Sequence, residues 1–393
     1  MCVVLFLAVG TLLASAVRAP DTPIPADYFG LHIHHPDSST PWPSVPFSGW
    51  RLSGTNWTDI EPEKGKWKFN RLDRFVELAQ AHHVSILMGL LCTPAWASAH
   101  PTQPGDCGPG TASPPKDMKD WLDFVRTVST RYKGRIRCYE IWNEPDSKGY
   151  WTASPQDMVE LARQTYKTLK QVDPSITVVS PPITGSAGID WLQEYLRAGG
   201  GKYADVIGSH FYVFPKPPEA MVPVIEQVKS LMQSNGVSNK PLWDTEAGWA
   251  WPKPFPSEDL GAGYLARAFV LNWAAGVRRF YWYSWDNHTW VSLQTTEKDS
   301  STLKPAGRAY AEIEKWLLGA KMATCQSDAK ANWVCPVNRD GDWKRIIWNA
   351  NQEANFRLPK EWQVRRSVNL AGQESAVRSD VIRIGPSPQL IEK

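Results

Sequence analysis

The chain has 393 residues, 42% of them hydrophobic, enough for one barrel-sized core and a small second unit. Its 43 Lys and Arg nearly offset 40 Asp and Glu, so no strong field recruits a polyanion, and no basic run points to nucleic acid. The outlier is 21 Trp: about half are expected in packing and the rest along a binding site.

Residues 3–16 form an uncharged apolar stretch ending in Ala14-Ser15-Ala16, which reads as a secretion signal over residues 1–16; the competing reading is a buried N-terminal strand. Export places the mature chain outside the cell or in a periplasm, with no membrane span, and removes Cys2. Cys325 is then expected to bond Cys335 across a hairpin and Cys92 to bond Cys107 across a Pro/Gly loop. Cys138 stays free, buried on a strand. No CxxC or zinc-ligand spacing is present.

In chain order, a strand-like run Tyr28–Ile33 is followed by the Pro-rich Pro36–Pro46 where a first helix would stand. Strand Trp50–Leu52 and helix Asn70–His83 come next, then Val84–Leu91 and Asp117–Tyr132, then Ile136–Trp142 and Pro155–Val172. The alternation continues with Thr177–Pro181 and Ile189–Leu196, Asp205–Val213 and Glu219–Asn235, Pro241–Glu246 and Glu258–Ala275, and Arg279–Trp285 and Pro305–Leu318. Eight strands alternating with helices predict an α/β fold, a (β/α)8 TIM barrel over residues 17–318. A doubly wound sheet would carry a Gly-rich phosphate turn after its first strand, and none is present. Beyond Leu318, short β runs flank Asn338-Arg339-Asp340-Gly341-Asp342 and predict a small β-sandwich-like unit over residues 319–393, read as a buttress for the barrel rather than a separate binding module.

Barrel chemistry sits at the C-terminal ends of strands. The run Cys138-Tyr139-Glu140-Ile141-Trp142-Asn143-Glu144-Pro145 and the run Leu242-Trp243-Asp244-Thr245-Glu246-Ala247-Gly248-Trp249 each deliver a glutamate to that mouth. Glycosidic cleavage needs one acid to protonate the leaving oxygen and a second carboxylate to meet positive charge at the anomeric carbon, so Glu144 and Glu246 are the candidate catalytic pair. By strand alternation Glu140 and Asp244 face the same way one step deeper, where they would neutralise Arg51.

Trp142-Asn143-Glu144-Pro145 and Thr245-Glu246-Ala247-Gly248-Trp249 resemble the acid/base and nucleophile motifs of clan A glycoside hydrolases, carried on the fourth and seventh strands. With residues 51–67, Thr93-Pro94-Ala95-Trp96-Ala97 and residues 139–146, the chain is most similar to family 39. The resemblance implies Glu144 as general acid/base and Glu246 as nucleophile of a retaining double displacement. Asn143 would bond the sugar 2-hydroxyl, and Arg51 and Tyr212 would donate to Glu246 with His210 in the same cleft. Trp285 would lie under the reacting sugar. The charge of Glu246 would raise the pKa of Glu144, and the carboxyl oxygens should lie about 5–5.5 Å apart.

Trp42, Trp57, Trp96, Trp151, Trp249, Trp251 and Trp290 follow predicted strands and would line the catalytic face, with His32 as a further sugar contact. His32, His34 and His35 cluster, but no third ligand with metal spacing is evident, so no metal or cofactor is expected. The substrate reading is endo-hydrolysis of a polysaccharide by a monomer. A short segment before the first strand and a small β unit after the barrel set the chain apart from chain-end-acting β-xylosidases, the alternative. A non-catalytic carbohydrate-binding protein and a transglycosylase are the remaining rivals. The sequons at Asn56 and Asn287 fall where substrate would bind and are expected to stay unmodified.

Overall fold

The computed structural model describes residues 13–393; residues 1–12, most of the stretch read as a signal, lie outside the described residues. The chain enters as an edge strand, Leu13–Val17 (β1), that pairs antiparallel with a strand near the C-terminus, Val17 opposite Cys325.

Eight parallel strands then alternate with helices: Phe29–His32 (β2), Gly49–Arg51 (β3), Ser85–Leu90 (β4), Cys138–Ile141 (β5), Thr177–Val179 (β6), Ile207–Ser209 (β7), Leu242–Ala247 (β8) and Val277–Trp282 (β9). Their order is β6-β5-β4-β3-β2-β9-β8-β7, and a parallel bridge between Val179 and Val206 joins the two ends into a barrel. Leu87, Cys138, Val179, Val206, Trp243 and Tyr281 pack together as an apolar plug at its centre. Tyr281 fits because two neighbouring strands carry glycine: a Cβ on Gly30 or Gly49 would fall 2.5 or 2.9 Å from its ring.

The helices are Trp57–Ile60 (α1), Asn70–Ala81 (α2), Met118–Arg131 (α3), Pro155–Val172 (α4), Ile189–Arg197 (α5), Met221–Ser234 (α6), Glu258–Ala274 (α7) and Pro305–Leu317 (α8). Asp117, Ser154 and Ser257 cap α3, α4 and α7 through their side chains, and Pro155 and Pro305 begin α4 and α8. All seven expected helices form, and the Pro-rich link between β2 and β3 contains none. The single turn α1 was not anticipated, being too short to show a 3.6-residue stripe. No helix among the described residues is long and apolar enough to cross a membrane.

After α8 come Lys321–Met322 (β10), Cys325–Asp328 (β11), Asn332–Arg339 (β12), Asp342–Asn349 (β13), Ala354–Arg357 (β14), Arg366–Val368 (β15), Glu374–Ala376 (β16), Val381–Ile384 (β17) and Gln389–Glu392 (β18). They form an antiparallel sheet, β1-β11-β12-β13-β18-β15-β16 with β10 on β12, and a two-stranded ribbon, β14-β17. Ile347, Leu358, Ile384 and Ile391 make a small core there. Arg267 of α7 ties this unit to the barrel, pairing with Glu219 at 3.0 Å, while Trp348 donates to the same carboxylate at 2.8 Å. The disulfides are Cys92–Cys107 and Cys325–Cys335, and Cys138 is free and buried, as expected.

Candidate active site

Parallel register brings the ends of β3, β5, β7 and β8 to one mouth, and Arg51 at the end of β3 organises what meets there. Its guanidinium holds Glu140 at 2.6 Å, Glu246 at 2.7 Å and the amide oxygen of Asn143 at 2.8 Å. Burial opposes its charge, yet the neighbouring Glu140 and Glu246 raise its pKa above the ordinary arginine value. The cation is therefore permanent, and it fixes the rotamers of three acceptors at once.

Glu246 accepts from Arg51 on one oxygen and from the Tyr212 hydroxyl, at 2.7 Å, on the other. Two donors to the carboxylate favour its charged form. Tyr212 itself has its pKa raised by burial and by Glu246, which keeps the hydroxyl a donor.

Glu144 lies past the end of β5, where Trp142 and Glu144 both adopt left-handed backbone, at φ 64° and 42°. This costly conformation turns the chain around Asn143, burying Trp142 against Trp121 and Trp151 while Asn143 and Glu144 reach the groups of the mouth. Glu144 Oε1 is 2.8 Å from Nδ1 of the buried His210. Burial is the first cause that lifts the Glu144 pKa to about 7, and the charge of Asp146 is the second. Burial lowers His210 to about 4, so the ring is neutral at pH 7 and Glu144 is the member of the pair that takes up a proton as pH falls through about 7. One carboxyl oxygen of Glu144 and one of Glu246 lie within 4.8 Å of each other.

Glu144, His210 and Glu246 are also the described residues best placed to share a cation. Both oxygens of Glu246 already accept from Arg51 and Tyr212, and a metal would have to coexist with the Arg51 guanidinium, so the donor set suits a proton-transfer pair better than a metal centre.

Several expected contacts are not available to a ligand. Trp285, expected under the sugar, is 1% exposed and donates to the Ser300 carbonyl; β9 ends at Trp282, so strand alternation does not carry to residue 285. Trp151 and Trp249 are equally closed, the first packed edge-on to Trp142 and the second stacked on Trp282. His32 is buried with Nε2 on the Thr245 carbonyl, a brace behind β8 rather than a sugar contact. Of the wider row, Trp57 is buried, and Trp42 stacks on His82 at the C-terminal end of α2, away from the mouth. Trp96 remains half-exposed with its indole N–H on the Glu61 carbonyl. Of the deep acids, Glu140 meets Arg51 as expected, but Asp244 instead accepts from the Phe211 amide and is held toward its neutral form by burial. The rise of Glu144 is due to burial and Asp146 rather than to Glu246.

The structure adds residues the sequence did not single out. Tyr283 stands half-exposed beside Glu246, whose charge contributes to raising its pKa. It shares parity with the inward-facing Tyr281, a signal that was available. His34 bridges Tyr283 to the buried Asp286, at 3.1 and 3.0 Å. Asp146, two residues beyond Glu144, was not given a role, and its partner Thr184 arrives from the loop after β6 with no local signal.

A closed parallel barrel with a carboxylate at the mouth of its fourth strand and another at its seventh, oxygens within 4.8 Å, is the architecture of a barrel glycoside hydrolase. The chain belongs to the glycosyl hydrolase catalytic core family, whose model matches residues 114–310, half of the chain. A β-galactosidase family model matches residues 47–179. Over 186 residues the chain is 26% identical to a β-xylosidase of Geobacillus stearothermophilus, a match spanning 40% of this chain and 37% of that protein. Among solved structures, a family 39 glycoside hydrolase from Bacteroides cellulosilyticus superposes with a TM-score of 0.77 at 21% identity, covering 95% of this chain and 81% of that one. A family 39 β-xylosidase from Caulobacter crescentus gives 0.69 at 16% identity, covering 95% and 97%. A family 30 endoxylanase from Clostridium papyrosolvens gives 0.63 at 14% identity, covering 96% and 99%. These likenesses concern the fold.

Proposed function

We propose that the protein hydrolyses glycosidic bonds with retention, Glu246 acting as nucleophile and Glu144 as acid and then base. The carrying observation is the carboxyl separation within 4.8 Å: inverting enzymes need roughly 6.5–9.5 Å to seat a water between the two groups. Glu246 attacks the anomeric carbon as the bond to the leaving oxygen breaks, and the Glu144 proton passes to that oxygen. Water then adds to the anomeric carbon, loses its proton to Glu144 and releases Glu246. Asn143, its carbonyl taken by Arg51, offers its amide N–H to the sugar 2-hydroxyl.

The substrate is a carbohydrate chain cut internally by a monomeric enzyme, a reading supported by the exposed Trp251 and Trp290 and the half-exposed Trp96. Export suits the two disulfides. Burial of three tryptophans from the expected row favours the alternative, release of single sugars from a chain end, and two of the similar proteins are named β-xylosidases. Wild type and Glu246→Ala assayed on a panel of polysaccharides and oligosaccharides, with products sized over time, separate these readings. Early mid-sized fragments mean internal cleavage, and terminal monosaccharide alone means the alternative. Binding without turnover in both proteins would leave a carbohydrate-binding protein instead.

A further inference from the structure

Trp290 is 41% exposed although it belongs to the aromatic wall beside the nucleophile. Its ring lies 5.5 Å from Tyr212, 5.3 Å from Tyr283 and 6.0 Å from Phe214, each nearly perpendicular to it, so none of these rings covers an indole face in stacked geometry. Tyr212 in turn donates to Glu246. The open indole is thus one residue removed from the reacting carboxylate.

Its position is fixed rather than loose. Asn287 accepts from the Trp290 amide at 2.9 Å and donates to the Tyr283 hydroxyl at 2.9 Å, and Lys253 holds the Thr289 carbonyl at 2.5 Å. Lys253 also ties this loop to the segment bearing Trp251, which is 56% exposed. An anchored indole left half open at the edge of a polar site offers an apolar face, and the faces of a pyranose ring are apolar enough to cover it.

We propose that Trp290 is the platform for a pyranose ring adjoining the scissile bond, so that the substrate is a glycan of at least two sugars. The inference rests on the carboxylate pair acting as proposed above. The occupant is the neighbouring unit of the same chain, because the wall is continuous with the groups around Glu246.

The test compares Trp290→Ala, Trp290→Phe and Glu246→Ala on two probes: a glycosyl fluoride, whose leaving group has no ring, and the oligosaccharide series of the same sugar, in sets built from xylose, glucose and galactose. For Trp290→Ala, the loss of kcat/KM on the disaccharide and longer chains should exceed the loss on the fluoride by about tenfold, mainly through KM, with Phe recovering most of it. Equal losses on both probes would mean that Trp290 only props Tyr212 and Tyr283, and would overturn the inference while leaving the reaction intact. Turnover surviving in Glu246→Ala would overturn the underlying reading instead, and inactivity of the wild type on every set would overturn both.

Discussion

Two arginines are buried among the described residues, and they serve opposite purposes. Arg51 lies among two carboxylates and an amide at the barrel mouth, and its charge is stabilised. Arg267, on α7 at the seam with the C-terminal sheet, has one carboxylate, Glu219, and burial lowers its pKa. One Nη of Arg267 has no partner. At the mouth an excess of acceptors pins a cation so that reacting groups keep their orientation; at the seam a single pair, with Trp348 and the Ala350 carbonyl, fastens two units together. A buried charge therefore indicates function only through what surrounds it.

The largest effect that would break this contrast comes from the proposed nucleophile. Glu246→Ala should lower kcat/KM by about 10⁴-fold or more with little change in thermal unfolding. Arg51→Met should cost roughly 10³-fold in kcat, because Glu246 and Asn143 lose a shared anchor. Arg267→Met should do the converse, lowering stability by about 3 kcal/mol in denaturant titration while kcat stays close to wild type. If Arg267→Met instead removed activity and left stability intact, the division between mouth and seam would fail.

The smallest effect sharpens the acid assignment. As the proposed acid, Glu144 has to be protonated for the first step, and with its pKa at about 7 the acid form is lost as pH rises through that value. The alkaline limb of kcat/KM should therefore fall near pH 7. Asp146→Asn removes a charge that holds the proton on Glu144, so the limb should move to lower pH. A limb that stays in place would remove Asp146 from the account.

The pattern of the chain made the barrel legible: each expected strand and helix has a counterpart, although β7 ends at Ser209 rather than Val213 and β9 at Trp282 rather than Trp285, because short apolar runs and 3.6-residue stripes are local signals. Arg51 and Glu246 were legible because they lie on strand ends, whereas Glu144 and Tyr212 lie three residues past β5 and β7, where alternation no longer holds, and were legible through the motif and the strand-end rule alone. The tryptophans were not. Whether Trp249 or Trp285 is covered depends on segments that return from elsewhere, Lys216 and Trp282 for the first and Ser300 for the second, and no local pattern encodes that. The charge of Asp146 two residues from Glu144 was in plain view, but its placement, held by Thr184 from the loop after β6, was not.

The most direct test of the central claim is capture of the covalent intermediate. Incubation with a 2-deoxy-2-fluoroglycosyl fluoride of the preferred sugar, followed by peptide mass mapping, should place one fluorosugar on Glu246. Label on Glu144 or Asp244, or no label together with release of product of inverted configuration, would contradict it.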